Sequence, residues 1–227
     1  MEWIKKISKF RLYRMKKWWI CLIVSTSLYA NENALYQQAQ ELLGHIHSSS
    51  YSYTFHIDEA EGIYDTTCSS FMNFLIQKVS LPAYQALLAD SKRKQPLARN
   101  YYAFFNALKE GKEEEHWKNI RYLKDVQVGD IIAWEYDISL GKKDSGHVVM
   151  VDEKPIQEAD GRYRIRILDS SKGTHAEDTR FAHPQGGIGK GVMWFVPDEN
   201  GEVKGFYWSD KSKKMSQHAL SIGRLIL

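Results

Sequence analysis

Once its N-terminal leader is set aside, this 227-residue chain keeps a single cysteine, Cys68, because its other cysteine, Cys21, lies within the leader. No internal disulfide can then hold the fold, so burial of apolar surface has to. Hydrophobic residues make up 43% of the chain, enough for one core-bearing domain. A free thiol in an oxidising compartment persists only where it is buried or used. Cys68 is therefore either a core residue or a reactive one.

The leader is read from its own pattern. Lys5, Lys6, Lys9, Arg11, Arg14, Lys16 and Lys17 precede the apolar run Trp18–Val24, and the small Ala30 precedes the polar Asn31-Glu32-Asn33. A basic region, a short apolar region and a small residue before a polar boundary describe a secretory signal peptide over residues 1–30. The apolar run is shorter than the ~20 residues a spanning helix needs, so no stable membrane insertion is expected after cleavage. Export follows, to the periplasm or the cell surface, or as a secreted protein. Seven of the 31 Lys and Arg lie in the leader, with one of the 28 Asp and Glu. Its removal turns the net charge from +3 to −3, which argues against nucleic acid as a partner.

Residues 31–50 read as a helix, Asn33 to Leu43, followed by a Ser48–Ser50 linker; residues 51–227 form the main domain. Phe71, Phe74 and Leu75 repeat at helical spacing after Asp65-Thr66-Thr67, good capping residues, so a helix begins at or just before Cys68. A thiol in the first turn faces unpaired N–H groups and the positive end of the helix dipole, which favours thiolate. Ala83–Ala89 and Tyr101–Leu108 also read as helices, and the charge run Lys109–Lys118 as a solvated helix face. Strands are expected at Ile131–Tyr136, His147–Val151 and Arg162–Asp169. Asp169–Gly191 reads as a long Gly-rich loop, and Gly191–Phe195 with Val203–Trp208 as a terminal hairpin. The whole is an α+β domain, N-terminal helices packed on an antiparallel β-sheet.

Cys68 at a helix start, His147 opening an apolar strand after Gly146, and Asp169 ending another strand supply a nucleophile, a base and a group to orient the base. Arg180, in the long loop, is a candidate to pair with a substrate carboxylate, and Tyr64 or a neighbouring hydroxyl to donate a hydrogen bond to a developing oxyanion. His175 and His183 have no zinc spacing, so no metal site is expected.

These segments, Asp65-Thr-Thr-Cys68-Ser69, Val128-Gly129-Asp130, Gly146-His-Val-Val-Met-Val151 and Leu168-Asp169-Ser170-Ser171, resemble the NlpC/P60 and CHAP branches of the papain-like cysteine peptidases. The resemblance spans about residues 50–210. It implies a papain-like fold and an exported bacterial cysteine hydrolase, acting through a thioester on peptide or amide bonds of peptidoglycan stem peptides, without a cofactor. It also implies Cys68 as nucleophile, His147 as general base and Asp169 as orienter. The chain departs from the usual Asp-Cys-Ser-Gly around the nucleophile, and its acid is closer to the CHAP pattern than to the histidine common in NlpC/P60. Two other readings stand beside the hydrolase: a catalytically idle relative that binds wall peptides, and an acyl or amide transferase of the same superfamily.

Overall fold

The computed structural model describes residues 34–110, 112–137, 144–182 and 185–227. The expected signal peptide lies outside these residues. From Ala34 the chain runs α1 (Ala34–His45), β1 (Ser48–Tyr51), β2 (His56–Asp58), β3 (Ile63–Thr66), α2 (Cys68–Val79), α3 (Leu81–Ser91) and α4 (Ala98–Ala107). There follow β4 (Glu113–Glu114), β5 (Trp117–Asn119), β6 (Ile131–Glu135), β7 (Gly146–Val151), β8 (Ile156–Gln157), β9 (Tyr163–Ser171), β10 (Gly187–Pro197), β11 (Val203–Tyr207) and β12 (Leu220–Leu225). The molecule is a mixed α+β protein, with the helices early in the chain and an antiparallel sheet after them.

The large sheet has the order β11-β10-β9-β7-β6-β12-β5-β4, with β8 pairing on β9. Alternate residues of its central strands divide between two cores, as the two-residue period of a strand requires. Ile131, Ala133, Val148 and Met150 pack with the helices, among Phe71, Leu75, Leu87 and Phe105. Ile132, Trp134, Val149 and Val151 join Ile165, Ile167, Phe195 and Phe206 in the second core. Because β7 is covered on both sides, all six of its residues are buried, and a histidine placed on it is held in a low-dielectric wall.

Several expectations are corrected. The Ser48–Ser50 segment is not a linker: as part of β1 it pairs in parallel with β3, Ser48 against Ile63 through Tyr51 against Thr66. Nor does α1 stand apart from the main domain, since Leu35, Ala39 and Leu42 belong to the core shared by the helices and the sheet. The charge run after α4 is not a helix face. It contains the β4–β5 hairpin, turned by Glu115 and His116 at positive φ, because Trp117 is fully buried and donates its indole N–H to the Ala83 carbonyl at 3.1 Å. The Gly-rich stretch is not all loop either: β10 begins at Gly187 and pairs with β9 from Ser171 onward. The C-terminal β12, which local pattern did not reveal, pairs with both β6 and β5. Its Arg224 grips the buried Asp130 at 2.7 Å, so the Val-Gly-Asp segment is a structural anchor.

Candidate active site

Cys68 is the first residue of α2. Thr67 caps that helix: its hydroxyl accepts from the Ser70 N–H at 3.2 Å, and the Ser70 hydroxyl accepts from the Thr67 N–H at 2.8 Å. This reciprocal box fixes the chain's entry into the helix. The Cys68 N–H belongs to the first turn, where donors have no partner within the helix. Behind the cap, Ser170 Oγ of β9 donates to the Thr66 carbonyl at 2.8 Å. That bond ties the nucleophile's turn to the strand bearing Asp169.

His147 is the second residue of β7 and pairs with Trp134 of β6. A side chain at Gly146 would strike the Trp134 carbonyl, its Cβ falling 1.9 Å from that oxygen, so only glycine fits before the histidine. His147 Nε2 lies 2.6 Å from Asp169 Oδ2, which leaves Nδ1 for the Cys68 sulfur. Burial opposes a charge on the ring, but the adjoining Cys68 charge, hydrogen bonding to Asp169 and Cys68, and the Asp169 charge together push its pKa from 6.5 up to about 10. The ring is therefore held as an imidazolium beside the Cys68 sulfur. Cys68, His147 and Asp169, far apart in sequence, are together.

Asp169 is fully buried. Burial alone would favour its neutral form, yet Arg180, His175 and His147 hold its carboxyl well below the usual 3.8. Arg180 Nη1 donates to Asp169 Oδ1 at 2.6 Å and to the Gly187 carbonyl at 3.2 Å. Its Nε and Nη2 donate to the two oxygens of Asp178 at 2.9 and 2.7 Å. This corrects the expectation that Arg180 meets a substrate carboxylate: at 2% exposure its guanidinium is spent on internal partners. Gly189 makes room for it, since a Cβ there would fall 2.5 Å from Arg180 Cγ. Tyr64 is corrected too. It is a core residue, edge-on to Phe74, and does not line the cleft at Cys68.

That cleft has a volume of about 340 Å³ and is lined by Tyr51, Tyr53, Cys68, Arg93, Arg99 and Asp144, among others. Burial, and next the Cys68 charge, push the Tyr51 hydroxyl's pKa up, and Tyr51, rather than Tyr64, shares the cleft with the thiol. Tyr53 donates to Asp144 Oδ1 at 2.5 Å, and Lys172 lies over both tyrosine rings. A larger hollow of about 690 Å³ lies elsewhere, between Lys118, Tyr122, Lys154 and Arg224. Its lining has no cysteine, serine, threonine or histidine, so the smaller cleft, which holds Cys68, is the candidate site. Sequence reasoning missed Tyr51, Tyr53, Arg93, Arg99, His175 and Asp178. The alternation Tyr51-Ser-Tyr53-Thr-Phe55 was a visible aromatic stripe, but nothing local says where it points. Among the described residues no group of three or more His, Cys, Asp or Glu has the arrangement to hold a metal ion, and His183 lies outside them.

The fold and site thus define an α+β protein in which a thiol that lines a cleft meets a buried imidazole and carboxylate. The chain is similar to the uncharacterized protein R653 of Acanthamoeba polyphaga mimivirus, with 26% identity over 181 residues, 70% of this chain and 77% of the viral protein. No protein-family profile matches the chain, and no solved structure matches it. No helix among the described residues is long and apolar enough to cross a membrane.

Proposed function

We propose that this protein is a papain-like cysteine hydrolase, a divergent relative of the NlpC/P60 and CHAP peptidases, that cleaves peptide or amide bonds. The observation that carries the reading is the contact of Cys68, at a helix N-terminus, with a His147 ring whose other nitrogen is held by Asp169 at 2.6 Å. A structural cysteine has no need of such a partner. Cys68 is only 4% exposed, but it lines the open cleft, where a substrate carbonyl can reach it.

In this mechanism the Cys68 thiolate attacks the carbonyl carbon. The Cys68 N–H, in the first turn of α2, donates to the oxyanion, and Tyr51 lines the same cleft. His147 then gives its proton to the departing amine, leaving a thioester. Water, deprotonated by the now neutral His147, attacks the thioester, releases the acid and restores the thiolate and the imidazolium. Among the described residues Arg93 and Arg99 have no carboxylate partner, and they give the cleft a positive rim suited to acidic peptides. Peptidoglycan stem peptides are of that kind, and an exported enzyme would meet them.

The test is alkylation of the protein by iodoacetamide from pH 4 to 9, wild type against His147→Ala, followed by wall-peptide cleavage assays. Rapid labelling well below pH 8.5 is expected, slowed at least about tenfold by the substitution, and Cys68→Ala should abolish cleavage. An ordinary thiol profile in both proteins would reject the reading. A reactive thiol that binds wall peptides without turnover would favour the idle relative, and product formed only with an added amine would favour the transferase.

A further inference from the structure

His175 is a buried ionisable side chain that this chemistry does not use. It lies between β9 and β10 with its side chain fully enclosed, and Trp208 stacks on it with ring centroids 4.2 Å apart. Its Nε2 is 3.1 Å from Asp169 Oδ2, the same oxygen that His147 Nε2 meets at 2.6 Å. Its Nδ1 is 3.2 Å from the Trp208 carbonyl oxygen. A neutral imidazole has one N–H donor and one lone pair. Both partners here are acceptors, so only the doubly protonated ring satisfies both.

Charge balance leads to the same state. The buried cluster holds Asp169 and Asp178 against one guanidinium, Arg180. The Cys68–His147 pair contributes no net charge, wherever its proton sits. A second cation makes the cluster neutral, and among the described residues His175 is the remaining titratable group in contact with Asp169. Among the described residues, the charged groups that face the ring are Asp169 from β9, His147 from β7, and Asp178, which also accepts the His175 backbone N–H at 2.7 Å, with Arg180 beside it. From β10 the ring meets Gly191, and beyond β11 it meets Trp208; neither is charged.

We propose that His175 is a positioning residue of this site, a buried imidazolium that shares Asp169 Oδ2 with His147 and fixes the carboxylate that orients the His147 ring. The proposal rests on the reading of Cys68, His147 and Asp169 as the reacting groups. With Arg180 on one oxygen and His175 on the other, Asp169 holds the ring of His147 without binding its proton too tightly. The His175 charge, less than about 6 Å from His147 because both touch one oxygen, opposes protonation of that ring. The imidazolium of His147 is thereby kept acidic enough to protonate a leaving amine.

The experiment is nitrogen-15 NMR of the imidazole rings in the full chain. In wild type at pH 7, His175, assigned through its own backbone, should show two protonated nitrogens; one bare nitrogen would overturn the proposal. The second arm compares Cys68→Ala with Cys68→Ala/His175→Gln, the thiolate's charge being absent from both. Glutamine can still donate to Asp169 but carries no charge, so the His147 titration should move up by about one to two pH units. An unmoved titration in a natively folded double variant would overturn it as well. If the double variant does not fold, the wild-type spectrum still decides. Failure of the hydrolase reading is distinguishable: Cys68 would alkylate as an ordinary thiol while the His175 nitrogens reported their own state.

Discussion

Arg180 shows how a single side chain takes its role from its surroundings. Its guanidinium makes four hydrogen bonds, to Asp169, Asp178 and Gly187, its backbone N–H adds a fifth to Asp178, and its single charge is shared between two buried carboxylates. An arginine so placed is a counter-ion whose removal strands the acids. Replacing it with methionine, of similar length, should cost about 3–5 kcal/mol of stability, measured by urea unfolding. A loss under about 1 kcal/mol would mean that the acids are relieved in some other way. In sequence, Arg180 is an arginine in a Gly-rich loop, and a substrate contact was a fair expectation. What redirected it is Gly189, whose missing side chain opens the space that the arginine stem fills.

At the scale of elements, α2 carries the most chemistry, and its start was legible. The run of Asp and Thr before an apolar repeat placed the helix N-terminus at Cys68, and the structure agrees. The face it buries is turned slightly from the expected one: Met72 and Ile76 are fully enclosed while Phe74 is half-buried. Asn73 is enclosed with them, accepting from the Tyr101 hydroxyl at 2.7 Å and donating to the Pro96 carbonyl at 3.0 Å. Such a polar residue reads as surface until its partners on other elements are known. The cap itself is testable. Thr67→Ala should destabilise the protein by about 1 kcal/mol, with Thr67→Ser recovering most of it, and chemical denaturation would read both. If Thr67→Ala proves neutral, the box seen at Ser70 does not hold the helix end.

For the whole molecule, the charged cluster predicts a response to pH. Asp169 and Asp178 have folded-state pKa values below the usual 3.8, so their contribution is present above that value and is lost as pH falls through the depressed ones. His147 has a raised value, so its contribution is complete below 6.5 and fades as pH rises toward 10. The melting temperature should therefore fall on the acid side below about pH 4. Asp178→Asn should lower the plateau and flatten that limb, as followed by circular dichroism. An acid limb of unchanged steepness in the variant would show that other carboxylates govern acid unfolding. The cluster joins β7, β9 and the segment before β10, so its loss would loosen the centre of the sheet.

The sequence by itself determined the class of fold, the helix that begins at Cys68, the strands of His147 and Asp169, and the three groups that meet. Those features depend on local periodicity, capping and turn chemistry, which neighbouring residues specify. Only the tertiary structure decided that Arg180 and His175 serve Asp169, that Tyr51 rather than Tyr64 shares the cleft with the thiol, and that the segment around Trp117 is a hairpin. Each of these depends on burial against residues distant in the chain: a charge or an aromatic ring takes its role from what surrounds it once water is gone, and strand pairing sets those surroundings.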